Sequence, residues 1–325
     1  MEIRWKKLIT YGVLVAAFIV VPSVVELGTS IMNLLVMLFI FIILSQSWNL
    51  IGGYTGQINL GLAAFFGCGV LITHFVWKAG IPIYLASIAG GLSAAVLAGI
   101  IGLPTLRLKG AYFAIGTFAL AEVCRIIVSG TFTSIEMPGS YATTFSLISR
   151  YYFGLAIAIV AIAVVYIIVN SRLGLGIVAV RDDEQAAQTM GVNIFKHKVI
   201  ALLVSAFLAG MAGGVHAFLR LSFFDITTVF NPLWTFEPLM AVIIGGSGTL
   251  IGPVIGSVFL VILSEVFALT LGQAHLIVFG FIFIFVVMYF RNGLVGSVDQ
   301  FRQIFTRVNQ KLRRVKVKTH SQSGE

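Results

Sequence analysis

IMNLLVMLFIFIILSQSWNLIGGYTGQINLGLAAFFG, from Ile31 to Gly67, opens as an apolar run with Asn33 near its start, gives way to glycines, amides and hydroxyls, and then turns apolar again. The run 31–51 is long enough to cross a bilayer, whose hydrocarbon core of about 30 Å takes about 20 apolar residues of helix. Eight further stretches meet or approach that length: 8–25, 58–77, 81–103, 110–128, 151–169, 198–220, 251–271 and 273–290. A tenth, 228–247, is interrupted by Asn231, Pro232, Glu237 and Pro238. With a mean hydropathy of +1.04 and 10% charged residues over 325 positions, the chain has too few charges to hydrate a water-soluble surface. The expected fold class is therefore all-α, a polytopic integral membrane bundle of about ten transmembrane helices.

Charge sets the orientation. Arg4, Lys6 and Lys7 precede the first span and eight Lys/Arg follow Phe290, so the positive-inside rule puts both termini in the cytoplasm and requires an even number of spans. Ten spans place 17 of the 21 Lys/Arg inside and leave Lys78, Arg125, Arg150 and Arg220 at or near outer ends. The count falls to eight if both glycine-broken segments are re-entrant. Residues 8–25 lack a small-x-small cleavage site, so they read as a retained helix rather than a signal peptide. Cys68 and Cys124 fall within spans and read as packing residues.

Residues 1–290 form one membrane domain, and 291–325 form a basic tail. In the tail, Val295, Val298, Phe301, Phe305, Val308 and Leu312 recur at helical spacing between basic residues. That is the pattern of an amphipathic helix on anionic lipid, with a purely topology-setting tail as the other reading. The net charge of +9 resides mostly on the inner face, which points to lipid headgroups rather than nucleic acid.

Two glycine-broken segments echo each other: Ile51-Gly52-Gly53 and Ile244-Gly245-Gly246. Broken helices expose backbone groups that a solute can use, so Gly52, Gly53, Tyr54, Thr55, Gly56, Gln57, Asn59 and Gly61, with Gly245, Gly246, Ser247 and Gly248, are candidates for a translocation path. Close helix packing competes, because Gly52/Gly56, Gly210/Gly214, Gly248/Gly252 and Gly252/Gly256 have GxxxG spacing. Glu122 and Arg125, three apart in one span, form a candidate intramembrane ion pair near the outer face, read either as structural or as a gate. The histidines have no metal-ligand spacing, so no metal site is expected.

The sharpest local signal is the inner loop 170–197, and within it RDDEQAAQTMG, Arg181 to Gly191. Asp182 suits an N-cap with Gln185 in capping-box position, and Asp183 and Glu184 suit the positive end of a helix. Ala186, Ala187 and Met190 form a small apolar face, and Gly191 is placed to end the helix in a left-handed turn. So short a helix is marginal in water and needs something to dock on. A solvated connector that only carries positive charge is the alternative.

Glu184-x-Ala186-Ala187 followed by Gly191 resembles the coupling-loop motif of bacterial ABC importer permeases. With SWNLIGGYTGQINLGLAAFFG, LKGAYFAIGTFALAEVCRII and IIGGSGTLIGPVIG, it makes the chain similar to the branched-chain amino-acid ABC transporter permease family, the LivM side more than LivH. Leu62 departs from a histidine frequent in that family. The resemblance implies a bacterial inner-membrane subunit of an importer for branched-chain amino acids. It also implies two cytoplasmic ATPase subunits that hold the ATP and Mg, a second homologous permease as heterodimer partner, and a solute-binding protein captured by the outer loops 129–149 and 221–233. This chain would then be non-catalytic and bind no cofactor, in keeping with the absence of a GK dipeptide and so of a Walker A loop. Urea or another small amide is an alternative cargo. An ion-coupled secondary carrier is the alternative class.

Overall fold

The structure, a computed structural model, describes residues 28–132, 134–136, 146–220 and 223–271, with Phe18, Gly280, Phe281, Ile284 and Gly293 as isolated positions. Most of the span 8–25, of the span 273–290 and of the tail 291–325 lies outside the described residues, as do 133 and 137–145 of the loop 129–149. Most of the described chain is helical. Five described helices are long and apolar enough to cross a membrane, one of them extended by an appended turn, and two shorter apolar helices accompany them.

Helix α1 (Thr29–Trp48) is the centre of the bundle, with Val36, Ile40, Ile43 and Leu44 fully buried. It winds into a π-helical turn, Asn49–Tyr54, where Gly52 lies against the Trp48 indole and a Cβ would collide with the ring. Gly56, at φ 74°, ends the turn. After it come α2 (Leu62–Lys78), α3 (Ile83–Thr105) and α4 (Ala111–Thr131). A strand β1 (Ser134–Glu136) follows, then α5 (Leu147–Val169), α6 (Arg172–Asp182), α7 (Glu184–Thr189) and α8 (Ile194–Leu219). The described chain closes with β2 (Phe223–Asp225), α9 (Ile226–Val229), α10 (Leu233–Gly245) and α11 (Gly252–Leu271).

Helices α2, α3 and α8 pack closest, and small residues are the reason. Gly69 faces the backbone of Gly210, Gly90 faces Thr73 and Gly69, and Gly214 faces Ser87, each without room for a Cβ. Backbones that approach this closely gain the van der Waals contact that drives helix association in lipid. The Gly210/Gly214 pair is thus a packing motif, and so is Gly252/Gly256, whose members press on the backbones of Gly245 and Ala241 in the α10–α11 hairpin. Leu92, Val96 and Ile100 on α3 and Val160 and Ile167 on α5 point outward, as side chains facing lipid do.

Three expectations change. The stretch 228–247 is not one span: α9 and α10 are separated by a turn at Phe230–Pro232, and α10 has Pro238 inside it. At 13 residues α10 is about 20 Å long, short of a full crossing. The helix expected at 58–77 starts instead at Leu62, because 57–61 is irregular. And the all-helical bundle carries one small ribbon, in which β1 pairs antiparallel with β2 through Ser134–Asp225, Ile135–Phe224 and Glu136–Phe223. Each strand has three residues. The ribbon joins the two loops that the sequence assigns to the outer face.

Candidate functional site

The two glycine-broken segments meet at the end of the bundle that carries the loop 170–197, the end where the sequence places the cytoplasm. Asn49 clamps them together. Its Oδ1 accepts from the Gly248 N–H at 2.8 Å and its Nδ2 donates to the Thr249 carbonyl at 2.8 Å. One turn earlier, Gln46 Nε2 donates to the Leu250 carbonyl at 2.6 Å. Both amides are fully buried. Sequence reasoning passed over them, although two carboxamides at the end of an apolar span are costly unless bonded, and that cost was the available signal.

The stretch 57–61 rises into the membrane. The Leu60 N–H donates to Thr117 Oγ1 at 3.1 Å, and Thr117 lies about 9 Å along α4 at 1.5 Å per residue. Irregular backbone at that depth must find partners within the protein. Gly61 N–H donates to Asn59 Oδ1, Ala63 N–H to Thr235 Oγ1, and Trp48 Nε1 to the Asn59 carbonyl, all at 2.8 Å. Of the candidate path residues, Gly53, Tyr54, Thr55, Gln57, Asn59, Gly61, Gly245 and Gly246 are buried, Gly52 and Gly248 are half-buried, and Gly56 and Ser247 are exposed. A narrow crevice at the start of α2 is lined by Gly61, Ala64, Thr105, Thr117, Ala121 and Leu202 among others.

The loop grips this junction. Arg181 Nη1 donates to the Gly53 carbonyl at 2.8 Å, and its aliphatic stem lies over Gly56. Glu184 Oε1 accepts from Lys198 Nζ at 2.5 Å and from Gln57 Nε2 at 3.4 Å. The Lys198 side chain is only 4% exposed, so this carboxylate is what offsets the cost of burying an ammonium. Glu184, expected among the residues that face a partner, thus turns into its own chain. Lys198 was not singled out as a site residue from the sequence, where it reads only as one more inner-face cation.

Helix α7 forms as its motif predicts, with one correction. The cap is Asp183, in extended backbone, whose Oδ1 accepts from Gln185 N–H at 2.8 Å and Ala186 N–H at 3.0 Å. Asp182 instead ends α6, a helix that runs up to the cap and displaces it by one residue. Gly191 adopts φ 84°, and the bonds Val192 N–H to Ala187 O and Gly191 N–H to Gln188 O close the helix. The expected apolar face divides: Ala187 is buried against the bundle, while Ala186 is exposed and Met190 is 85% exposed. Leu175 and Phe195, on the flanking helices α6 and α8, are exposed as well.

Glu122 and Arg125 do pair, with Arg125 Nε donating to Glu122 Oε1 at 2.9 Å and Nη2 reaching the same oxygen. Because α4 runs on to Thr131, the pair sits deeper than expected, with Glu122 about 16 Å along the helix. Both side chains are about one-third exposed. Among the described residues, no group of three or more His, Cys, Asp or Glu is placed to hold a metal ion.

The family described as the branched-chain amino acid transport system permease component matches residues 30–287, from the start of α1 to beyond α11. The chain belongs to this family. Such subunits are the non-catalytic, multi-pass plasma-membrane permeases of ABC transporters, with ATP hydrolysis on partner subunits. Among relatives, this permease is 24% identical to the high-affinity branched-chain amino acid transport system permease protein LivM of Escherichia coli (strain K12), over 89% of this chain and 75% of that protein. It is 25% identical to a probable branched-chain amino acid transport permease protein LivM of Methanocaldococcus jannaschii, over 62% of this chain and 58% of the relative. A nucleoside ABC transporter permease protein, NupC of Lactococcus lactis, is 30% identical over 23% of this chain and 24% of its own. No solved structure matches the permease.

Proposed function

We propose that this permease carries a branched-chain amino acid, or a similar small zwitterion, into the cell on the power of two cytoplasmic ATPase subunits that dock on α7. One observation carries the reading. A six-residue helix, capped at both ends and fixed to the membrane segments through Glu184 and Arg181, presents Ala186 and Met190 outward. A helix that short is marginal alone. An idle connector has no need of a capped helix held in place, whereas a handle for a partner does.

The remaining partners follow the same logic. A second homologous permease covers α4, whose own bundle leaves Ile115, Ile126 and Ile127 exposed beside a charged pair. A solute-binding protein is captured at the end that carries the β1–β2 ribbon. The solute descends toward the junction of the two glycine-broken segments, which forms the inner mouth. Amino acids rank before nucleosides because the relatives named for branched-chain amino acids match most of this chain, whereas the two named for nucleoside or guanosine match 23% and 16% of it.

Reconstitution tests the class. Proteoliposomes holding this chain, the second permease and the ATPases are expected to accumulate leucine only with ATP inside and loaded binding protein outside. Accumulation by this chain alone on a proton or sodium gradient overturns the reading. Calorimetry on the binding protein, with leucine, a nucleoside and urea compared, assigns the cargo.

A further inference from the structure

Three glycines in the two broken segments surround one side chain. Arg181 leaves the end of α6, passes over Gly56 and donates to the Gly53 carbonyl. Its guanidinium lies where a Cβ on Gly248 would stand, and a Cβ on Gly56 would meet Arg181 Cγ at 3.2 Å. Gly53 in turn has Asn49 and the Gly248 backbone against it, with no room for a side chain. The π-helical turn and the 246–250 loop therefore form a socket, and Arg181 fills it.

We propose that Arg181 is the positioning residue that transmits movement of the docked helix α7 to the inner mouth, because it is bonded to one glycine-broken segment at Gly53 and packed against the other at Gly248. This rests on the docking reading given above. The side chain sits two residues before the α7 cap, so a displacement of α7 pulls on it directly. Its bond to Gly53 is to backbone, at the point where α1 has already departed from regular helix. Regular helix resists such a pull through its own ladder of bonds, whereas a π-helical turn is the kind of place where a helix changes its winding. Glu184 supplies a second grip on the same stretch through Gln57, and ties it to Lys198 of α8. On this account the glycines at 56 and 248 serve neither helix packing nor the solute in the first place, while Gly53 lets the two segments close on each other and lends its carbonyl. Gly56 and Gly248 make room for a lever.

The experiment uses the complete transporter in proteoliposomes, with Arg181→Ala and Arg181→Lys beside the native chain. Arg181→Ala is expected to assemble with the ATPases and hydrolyse ATP, yet to move about tenfold less leucine per ATP, within the usual range of coupling between sites. Stimulation of the ATPase by loaded binding protein should fall with it. Arg181→Lys should recover part of both, since an ammonium can still donate one bond to the Gly53 carbonyl. Unchanged leucine per ATP in Arg181→Ala overturns the proposal. So does loss of ATPase binding in Arg181→Ala alone, which makes Arg181 a docking contact and leaves the importer reading intact. If the native complex itself fails to bind ATPases, the docking reading fails instead.

A second measurement works even where Arg181→Ala does not fold. With Cys68→Ser and Cys124→Ser as background, spin labels at the exposed positions Ile58→Cys and Asp182→Cys report the distance across the socket. In the otherwise native chain that distance should stay the same with and without trapped nucleotide, because the two sides move together. A nucleotide-dependent change overturns the lever.

Discussion

Lys198 shows what a single buried charge demands of its surroundings. Its side chain is 4% exposed, and the carboxylate of Glu184 faces it. Removing one partner of such a pair leaves an uncompensated charge, which costs about 3 kcal/mol at the lower end of the usual range. The lower end applies because Glu184 is itself 30% exposed. Glu184→Ala should therefore lower the melting temperature of the purified complex clearly, while the double change Glu184→Ala with Lys198→Met should recover most of it. If single and double variants melt alike, the pair does not support the loop. Glycine 69 gives the matching case without charge. A Cβ there meets the Gly210 backbone, which cannot yield without moving α8, so Gly69→Ala should cost about 1–3 kcal/mol as overpacking does. At Gly99 the nearest atom to a new Cβ is Leu203 Cδ2 at 3.9 Å, so Gly99→Ala should be neutral or stabilise by up to about 1 kcal/mol through helix propensity. Unfolding of both variants in detergent checks the opposite signs.

At the scale of the element, α7 was readable from its own eleven letters, because caps, an alanine pair and a terminal glycine are all local signals. What the letters could not separate was Asp182 from Asp183. Either aspartate can cap, and the choice was made by α6, whose last turn takes in Asp182 and leaves Asp183 extended. The consequence is measurable. Asp183→Ala removes the acceptor for two amides and should cost about 1 kcal/mol, multiplying hydrogen exchange at residues 186–190 about fivefold. Asp182→Ala should leave that exchange nearly unchanged, and the reverse order would restore the cap to Asp182. The spans were legible for a similar reason, since apolar length is a property of one segment. The ribbon was not, because each three-residue strand is too short to show a period and its partner lies far along the chain. Nor was the socket: Gly53 and Arg181 are 128 positions apart, and nothing in IGGYTG says that the room left at Gly56 is for an arginine.

For the whole molecule, α4 marks where the described chain stops being self-sufficient. Its first half is seated through Phe113, Ala114 and Thr117, but beyond Ala121 no residue of the helix is fully buried. Isoleucines exposed to lipid need no partner. The Glu122–Arg125 pair does, because it is about one-third exposed near the middle of a hydrophobic helix, and a charged residue at that depth costs at least about 2.5 kcal/mol even on insertion scales. A second permease laid along this face would exclude lipid from the pair at no cost to the bundle itself. A photo-crosslinking residue in place of Ile126, 62% exposed in the single chain, should then attach to a polypeptide of permease size in membranes that contain the complete transporter. Labelling of lipid alone would place α4 on the outside and leave the pair to be accounted for by the solute path. The two roles separate further by charge. Arg125→Ala strands Glu122 and should reduce recovery of the assembled transporter several-fold, whereas Glu122→Leu with Arg125→Leu removes both charges and should assemble and transport. A double variant that assembles normally yet moves no leucine would instead put these two side chains in contact with the moving solute, since a pair that only closes an interface can be replaced by apolar volume without loss of transport.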